Sequence, residues 1–203
     1  MANHSISEST VVGASKTNKK ASKRWIAIDR LNILVEVRIS AVTEATGITL
    51  KLLESSNGGE FHLVGDQSEV SLTSMTCASS SDIANATNTF TETTHGRITG
   101  SPVVFNAGTA APTGLTDGDT FYIINVTANT FKLANSYERA LEGNEVSISD
   151  DGTGNQVFFD ARYEIRMVES DSSDAAQLPV SEYIALGVDT GSGDSITIST
   201  VLS

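Results

Sequence analysis

The chain has a single cysteine, Cys77, in 203 residues, with only three prolines and one tryptophan. One thiol cannot close an intrachain disulfide or build a thiolate metal site alone. Nothing around Cys77 marks a nucleophile, so a buried bystander thiol is expected. No apolar run approaches the roughly 20 residues that a helical membrane span requires. The polar amino-terminal segment also lacks the apolar centre of a secretory leader, so a soluble, non-exported chain without a membrane partner is expected. Histidine is scarce as well. His4, His62 and His95 are far apart and show none of the short spacings of zinc sites. No nucleophile-elbow sequence singles out a catalytic serine. These absences predict a protein that is not an enzyme and that carries no cofactor or metal.

What is abundant is turn chemistry. Sixteen glycines and many Thr, Ser, Asn and Asp residues suit short strands joined by tight connections, an all-β composition. The length suits two small domains, each with a modest core.

Charge is unevenly distributed. Residues 1–30 hold six basic side chains (Lys16, Lys19, Lys20, Lys23, Arg24, Arg30) against Glu8 and Asp29, a net of +4. The formal charge of the whole is −12, which leaves −16 for the remainder. An acidic body is repelled by nucleic acid, whereas a short basic segment is drawn to acidic surfaces within about a Debye length. "SISESTVVGASKTNKKASKR" lacks sustained periodicity, which predicts a basic arm over residues 1–24 that orders on a partner. The partner-binding candidates are Lys16, Lys19, Lys20, Lys23 and Arg24, with Trp25 anchoring the root of the arm. Nucleic acid is the weaker candidate partner, because the only basic cluster lacks interleaved aromatics for stacking.

Periodicity places the strands. "NILVEVRIS" sets Ile33, Val35, Val37 and Ile39 on one face and Glu36 and Arg38 on the other, a period of two that no helix produces. "GITLKLLES" repeats the pattern with Ile48, Leu50 and Leu52 inward. The Asn57-Gly58 step predicts a hairpin into "FHLV", so these three strands read as a meander. The pattern fades near residue 76 and resumes at "RYEIRMV", where Tyr163, Ile165 and Met167 face inward, followed by "EYIALGV" and "SITISTVL". The predicted fold is an antiparallel β-sandwich, jelly-roll-like, over residues 25–75 and 160–203. A small β domain, residues 76–159, is inserted in one of its hairpins, a site type that tolerates insertion. Within the insert, "SYERALEG" predicts one short helix with Ser136 as N-cap, Glu138 in its first turn and Gly143 as its stop.

Four stretches, "TDGDT", "SDDGTGN", "ESDSSD" and "VDTGSGD", cluster carboxylates with glycine as calcium loops do. None has EF-hand spacing, and acidic turn residues capping their own loops is the favoured reading.

The inserted segment resembles a small β module that recurs in tailed-bacteriophage virion proteins. The resemblance covers residues 88–159 and is carried by "HGRITG", by "PTGLTDGDTFYIINVTANTFKLA", and by a Gly-Thr-Gly before an aromatic strand. Leu115, Tyr122, Asn125, Thr130, Phe131 and Leu133 sit at matching places. The flanks, "LNILVEVRISAVTEATGITLKLLESSNGGEFHLVG" and "ARYEIRMVES", are similar to β-sandwich domains of phage head decoration proteins. Neither likeness carries catalytic residues. Together they imply a virion structural protein, a decoration or cement protein on the capsid surface. Its partner would be the major capsid protein, and it would form a homo-oligomer, a trimer or a dimer. The alternatives are a head-fibre or tail-associated adhesin whose insert contacts the host, or a tail or neck connector.

Overall fold

The computed structural model describes residues 8–12, 16–20, 25–26, 32–43, 47–55, 62–63, 69–168, 183–190 and 195–202. The chain divides into two compact units. One is built from strands on either side of residue 73–162; the other comprises Thr73–Arg162 with Ser40–Val42. The inserted unit is thus a few residues longer at each end than the sequence pattern predicts.

Strands β1 (Glu8–Val12), β2 (Lys16–Lys20), β3 (Trp25–Ile26), β4 (Asn32–Thr43), β5 (Ile48–Ser55), β6 (His62–Leu63) and β7 (Glu69–Ser71) precede the insert. The insert contains β8 (Ser74–Ala78), β9 (Ile83–Ala84), β10 (Thr89–Thr91), β11 (Pro102–Asn106), β12 (Thr120–Thr127), β13 (Thr130–Ala134), the helix α1 (Tyr137–Leu141) and β14 (Asn155–Asp160). The outer unit resumes with β15 (Arg162–Val168), β16 (Tyr183–Thr190) and β17 (Ser195–Leu202).

The outer unit forms two sheets. One has the order β1-β17-β4-β15 and the other β2-β16-β5-β6, with β3 also on β16 and β7 also on β5. β2 and β3 lie along different parts of the same edge of β16, opposite Gly187–Thr190 and Tyr183–Ile184. β6 and β7 likewise share the free edge of β5. Counting each of these pairs as one interrupted strand leaves eight, ordered 1-8-3-6 in one sheet and 2-7-4-5 in the other. The first strand therefore pairs with the last, the second with the seventh, the third with the sixth and the fourth with the fifth. This is the connectivity of a jelly roll, a long antiparallel ribbon wound into two sheets. The predicted sandwich is present, and its finer topology is now explicit.

Burial follows the alternation that the sequence displays. Val37 and Ile39 of β4, Ile48 and Leu50 of β5, Leu186 and Val188 of β16, and Ile196 and Ile198 of β17 are each at most 3% exposed. Tyr163 of β15 is buried too. Each set is spaced by two, so one face of each strand forms the core. Outside that face, Lys51 and Asp189 pair at 2.5 Å across β5 and β16.

Three expectations are corrected. The strands β4 and β5 are not consecutive in a meander, because they belong to different sheets. Alternation reveals that a strand has one buried face, and two strands facing each other across a core satisfy it as well as two neighbours do. The insert does not fill a hairpin either: β7 pairs with β5, and β15 lies beside β4 in the other sheet. Finally, the basic segment 1–24 is not an arm throughout, since Glu8–Val12 pair with Ile196–Thr200 and Lys16–Lys20 pair along β16. An edge strand draws its hydrogen bonds from its neighbour and needs little apolar periodicity, so its sequence gives a weak signal. Lysine is also a residue that sheet edges favour, because it discourages pairing with other chains. The Asn57-Gly58 turn lies outside the described residues.

The inserted unit is one seven-stranded antiparallel sheet, ordered β8-β14-β11-β12-β13-β10-β9. It curls so that its two ends approach each other. Cys77 of β8 donates its thiol hydrogen to the carbonyl of Thr91, the last residue of β10, and the Glu92 carboxylate accepts from the Thr76 amide. Asp82 accepts from the Ala78 amide in the same way. Side-chain carboxylates thus occupy amides that an open sheet edge would leave unpaired. Inside the curl sit Met75, Phe90, Val103, Phe105, Phe121, Ile123, Phe131, Leu133 and Phe158, with Leu115 and Ile148 from the connections. Phe158 lies 5.3, 5.2 and 5.4 Å from the rings of Phe90, Phe105 and Phe131. The predicted helix is present. Ser136 Oγ accepts from the Arg139 amide at 3.3 Å, Glu138 occupies the first turn, and Gly143 follows the end at φ +73°.

Two substitutions test these cores separately. Phe158→Ala removes the ring on which three others rest, and a loss of about 3–5 kcal/mol confined to the insert's unfolding transition is expected in chemical denaturation. In the outer unit, a Cβ at Gly187 would lie 2.5 Å from Leu53 Cδ1. Gly187→Ala should therefore cost about 1–3 kcal/mol in the other transition, measured in the same way.

Candidate functional site

The partner-binding candidates from the sequence fall on one sheet edge. Lys16, Lys19 and Lys20 lie in β2, where they stand opposite Thr190, Val188 and Gly187. Trp25 lies in β3 opposite Ile184. Lys23 and Arg24, between the two strands, are outside the described residues. β2 and β3 are edge strands, bonded to β16 on one side only. The basic cluster is thus carried on the rim of a sheet whose backbone is held by the fold itself. Such a rim needs no ordering on contact, unlike the loose arm that the sequence suggests.

The acidic turns of the insert do another job. Asp150 accepts from the amides of Thr113 and Gly152 at 3.1 and 2.9 Å and from the Thr113 hydroxyl. Asp151 accepts from the Asn85 amide at 3.1 Å, and Asp117 from the Ala107 amide at 2.8 Å. These carboxylates fasten turns to one another, as capping residues do. Among the described residues, no group of three or more His, Cys, Asp or Glu is placed to hold a metal ion. "ESDSSD" and part of "VDTGSGD" lie outside them.

His95 is 3% exposed and fully engaged. Its Nδ1 accepts from the Arg97 amide at 3.1 Å, so Nε2 carries the hydrogen that it donates to the Thr127 carbonyl at 3.0 Å. Arg97 then forms a two-pronged bond to Asp160, at 2.9 and 2.8 Å, and Asp160 also accepts from Thr73 Oγ1 at 2.6 Å. This chain ties the turn after β10 to the strands that enter and leave the insert. Gln156, wholly buried, bridges the backbone of residues 108–110 and 153–154 through both ends of its amide. The sequence showed no signal for either network, because the contacts that join distant segments span 32 to 87 positions. Burial pushes the Cys77 thiol up to about 12, with Glu92 and Asp82 adding to the shift. It is a packed thiol, as expected.

None of the family models, curated proteins or solved structures compared with the chain matches it. Among the described residues, no helix is long and apolar enough to cross a membrane.

The electrostatics give two measurable consequences. Hydrogen bonds from Thr113 and Gly152 hold the Asp150 carboxyl below its ordinary 3.8. A carboxylate with a depressed folded value stabilises above its unfolded value, and that contribution disappears as pH falls through the folded one. An NMR titration should therefore show the Asp150 midpoint below 3.8, and Thr113→Val should move it upward. Cys77, protonated through neutral pH, should resist maleimide at pH 8 in the native chain and react promptly in denaturant.

Proposed function

We propose that this chain is a structural component of a tailed-bacteriophage virion, a decoration or cement protein that docks on the major capsid protein lattice and stiffens the head. The observation that carries this reading is the position of Lys16, Lys19 and Lys20 along one edge of a jelly roll. The rest of the chain is strongly acidic. Double-sheet rolls of this kind recur in capsid and lectin domains. Fold alone does not assign a role; the likeness of residues 88–159 to a phage virion module supports the choice between them.

The mechanism requires no chemistry. Each copy contributes a modest interface, and repetition over a lattice multiplies the effect. The basic edge supplies long-range attraction to acidic shell surfaces and an orientation on arrival. Because β2 is already bonded to β16, docking sacrifices little backbone entropy.

Charge reversal of all three lysines, Lys16→Glu, Lys19→Glu and Lys20→Glu, tests the reading. Wild-type chain should bind preformed heads with an affinity that declines as salt rises. The triple variant should bind roughly tenfold more weakly and lose most of that salt dependence. Equal affinity and equal salt slope would overturn the docking role. So would binding of the isolated protein to host cells without affinity for heads, which points to an adhesin.

A further inference from the structure

The edges of the roll's two sheets are β1 and β15 in one, and β2 with β3 and β6 with β7 in the other. β1 and β7 each carry one glutamate, and β15 mixes Arg162 and Arg166 with Glu164. β3 and β6 contain no carboxylate, lysine or arginine. Among these edges β2 alone is densely charged with a single sign. It holds Lys16, Lys19 and Lys20 within five residues and no acidic residue.

A strand bonded on one side leaves its outward N–H and C=O groups as a template for a further strand. β2 is bonded to β16, and among the described residues no strand lies beyond it. Lys20 and Lys19 stand opposite Gly187 and Val188, and after a shift of register Lys16 stands opposite Thr190. Thr17 and Asn18 therefore face the single Asp189, a bulge that separates Lys16 from the other two.

Charge decides what such a template accepts. Two copies of β2 set edge to edge bring three lysines against three, so a second copy is refused. A strand that carries carboxylates turns the same lysines into cross-strand ion pairs. Nucleic acid has the matching sign but offers no row of amides and carbonyls to continue the sheet.

We propose that the free edge of β2 binds an extended acidic segment of the shell subunit by strand addition, so that docking lengthens the sheet β2-β16-β5-β6 by one strand. This inference rests on the docking role proposed above and specifies its contact. Main-chain hydrogen bonds hold the segment, and the lysines select it by charge. The segment matches β2 over about 17 Å, the length of a five-residue strand, with carboxylates on both sides of the bulge.

Amide hydrogen exchange of the full chain, with a short capped peptide of alternating glutamate and valine as the probe, tests it. The peptide should slow exchange within residues 16–20. Its fully N-methylated counterpart keeps the charges but cannot donate, and should bind at least about tenfold more weakly. A lysine–valine peptide should not bind the wild type, and should bind the variant carrying Lys16→Glu, Lys19→Glu and Lys20→Glu in place of the glutamate peptide. Equal binding of the methylated peptide, or equal protection by a DNA oligonucleotide, would overturn strand addition. On preformed heads, bound chain should show the same protection at residues 16–20. Bound chain whose residues 16–20 exchange as in the free protein would overturn strand addition while leaving the docking role standing. Protection by the peptide without any affinity for heads would remove the docking role and support an acidic strand from another partner.

Discussion

The pairing of each strand with its counterpart along a folded ribbon is the constraint on which the outer unit depends. Glu8–Val12 against Ile196–Thr200 is the outermost rung of that ribbon. Moving inward, β16 is flanked by β2 and β3 on one side and by β5 on the other. Because the ribbon is wound, successive strands alternate between the two sheets except where the ribbon turns back on itself, from β5 to β6 and β7. Each sheet can then bury one face against the other, and the aliphatic residues spaced by two on β4, β5, β16 and β17 fill the interval.

The inserted unit solves the same problem differently. Its single sheet has no second sheet to face, so it curls around a cluster of phenylalanines and lets Leu115 and Ile148 close the interior from its connections. Aromatic rings suit this geometry because a few large side chains span a curved interior that many small ones would fill poorly. The remaining polar demands are met by carboxylates on turns. Asp150, Asp151, Asp117, Asp82 and Glu92 each accept from a backbone amide that the sheet leaves free. The acidity of this unit is therefore partly structural.

Much of this was legible in the residues and some was not. Alternation in "NILVEVRIS" and "SITISTVL" announced strands with one buried face, and Val37, Ile39, Ile196 and Ile198 are in the core. Ser136 and Gly143 marked both ends of α1 because capping chemistry is local. Pairing is not local. Nothing in "KTNKK" reveals β16 as its neighbour, and the lysines that made the segment look unstructured are compatible with an edge. The seat of the Tyr137 ring on Gly100 was equally hidden, since only the fold brings the two residues together. The sequence pointed to the basic residues that the docking reading uses, and the structure changed their setting from a tail to a sheet rim.

The nesting of the two units also has a bearing on how the polypeptide matures on the ribosome. The insert, apart from the short Ser40–Val42 stretch, is contiguous, so its partners are all available once residue 162 has been made. The roll is different: β1 waits for β17, whose residues are 195–202, and β2 for β16. Such long-range closures are slow, and domains tend to fold as their own chain emerges. The lysine edge is therefore locked into place among the last events, after the guest is complete. A nascent or truncated chain that lacks β16 therefore lacks the finished rim.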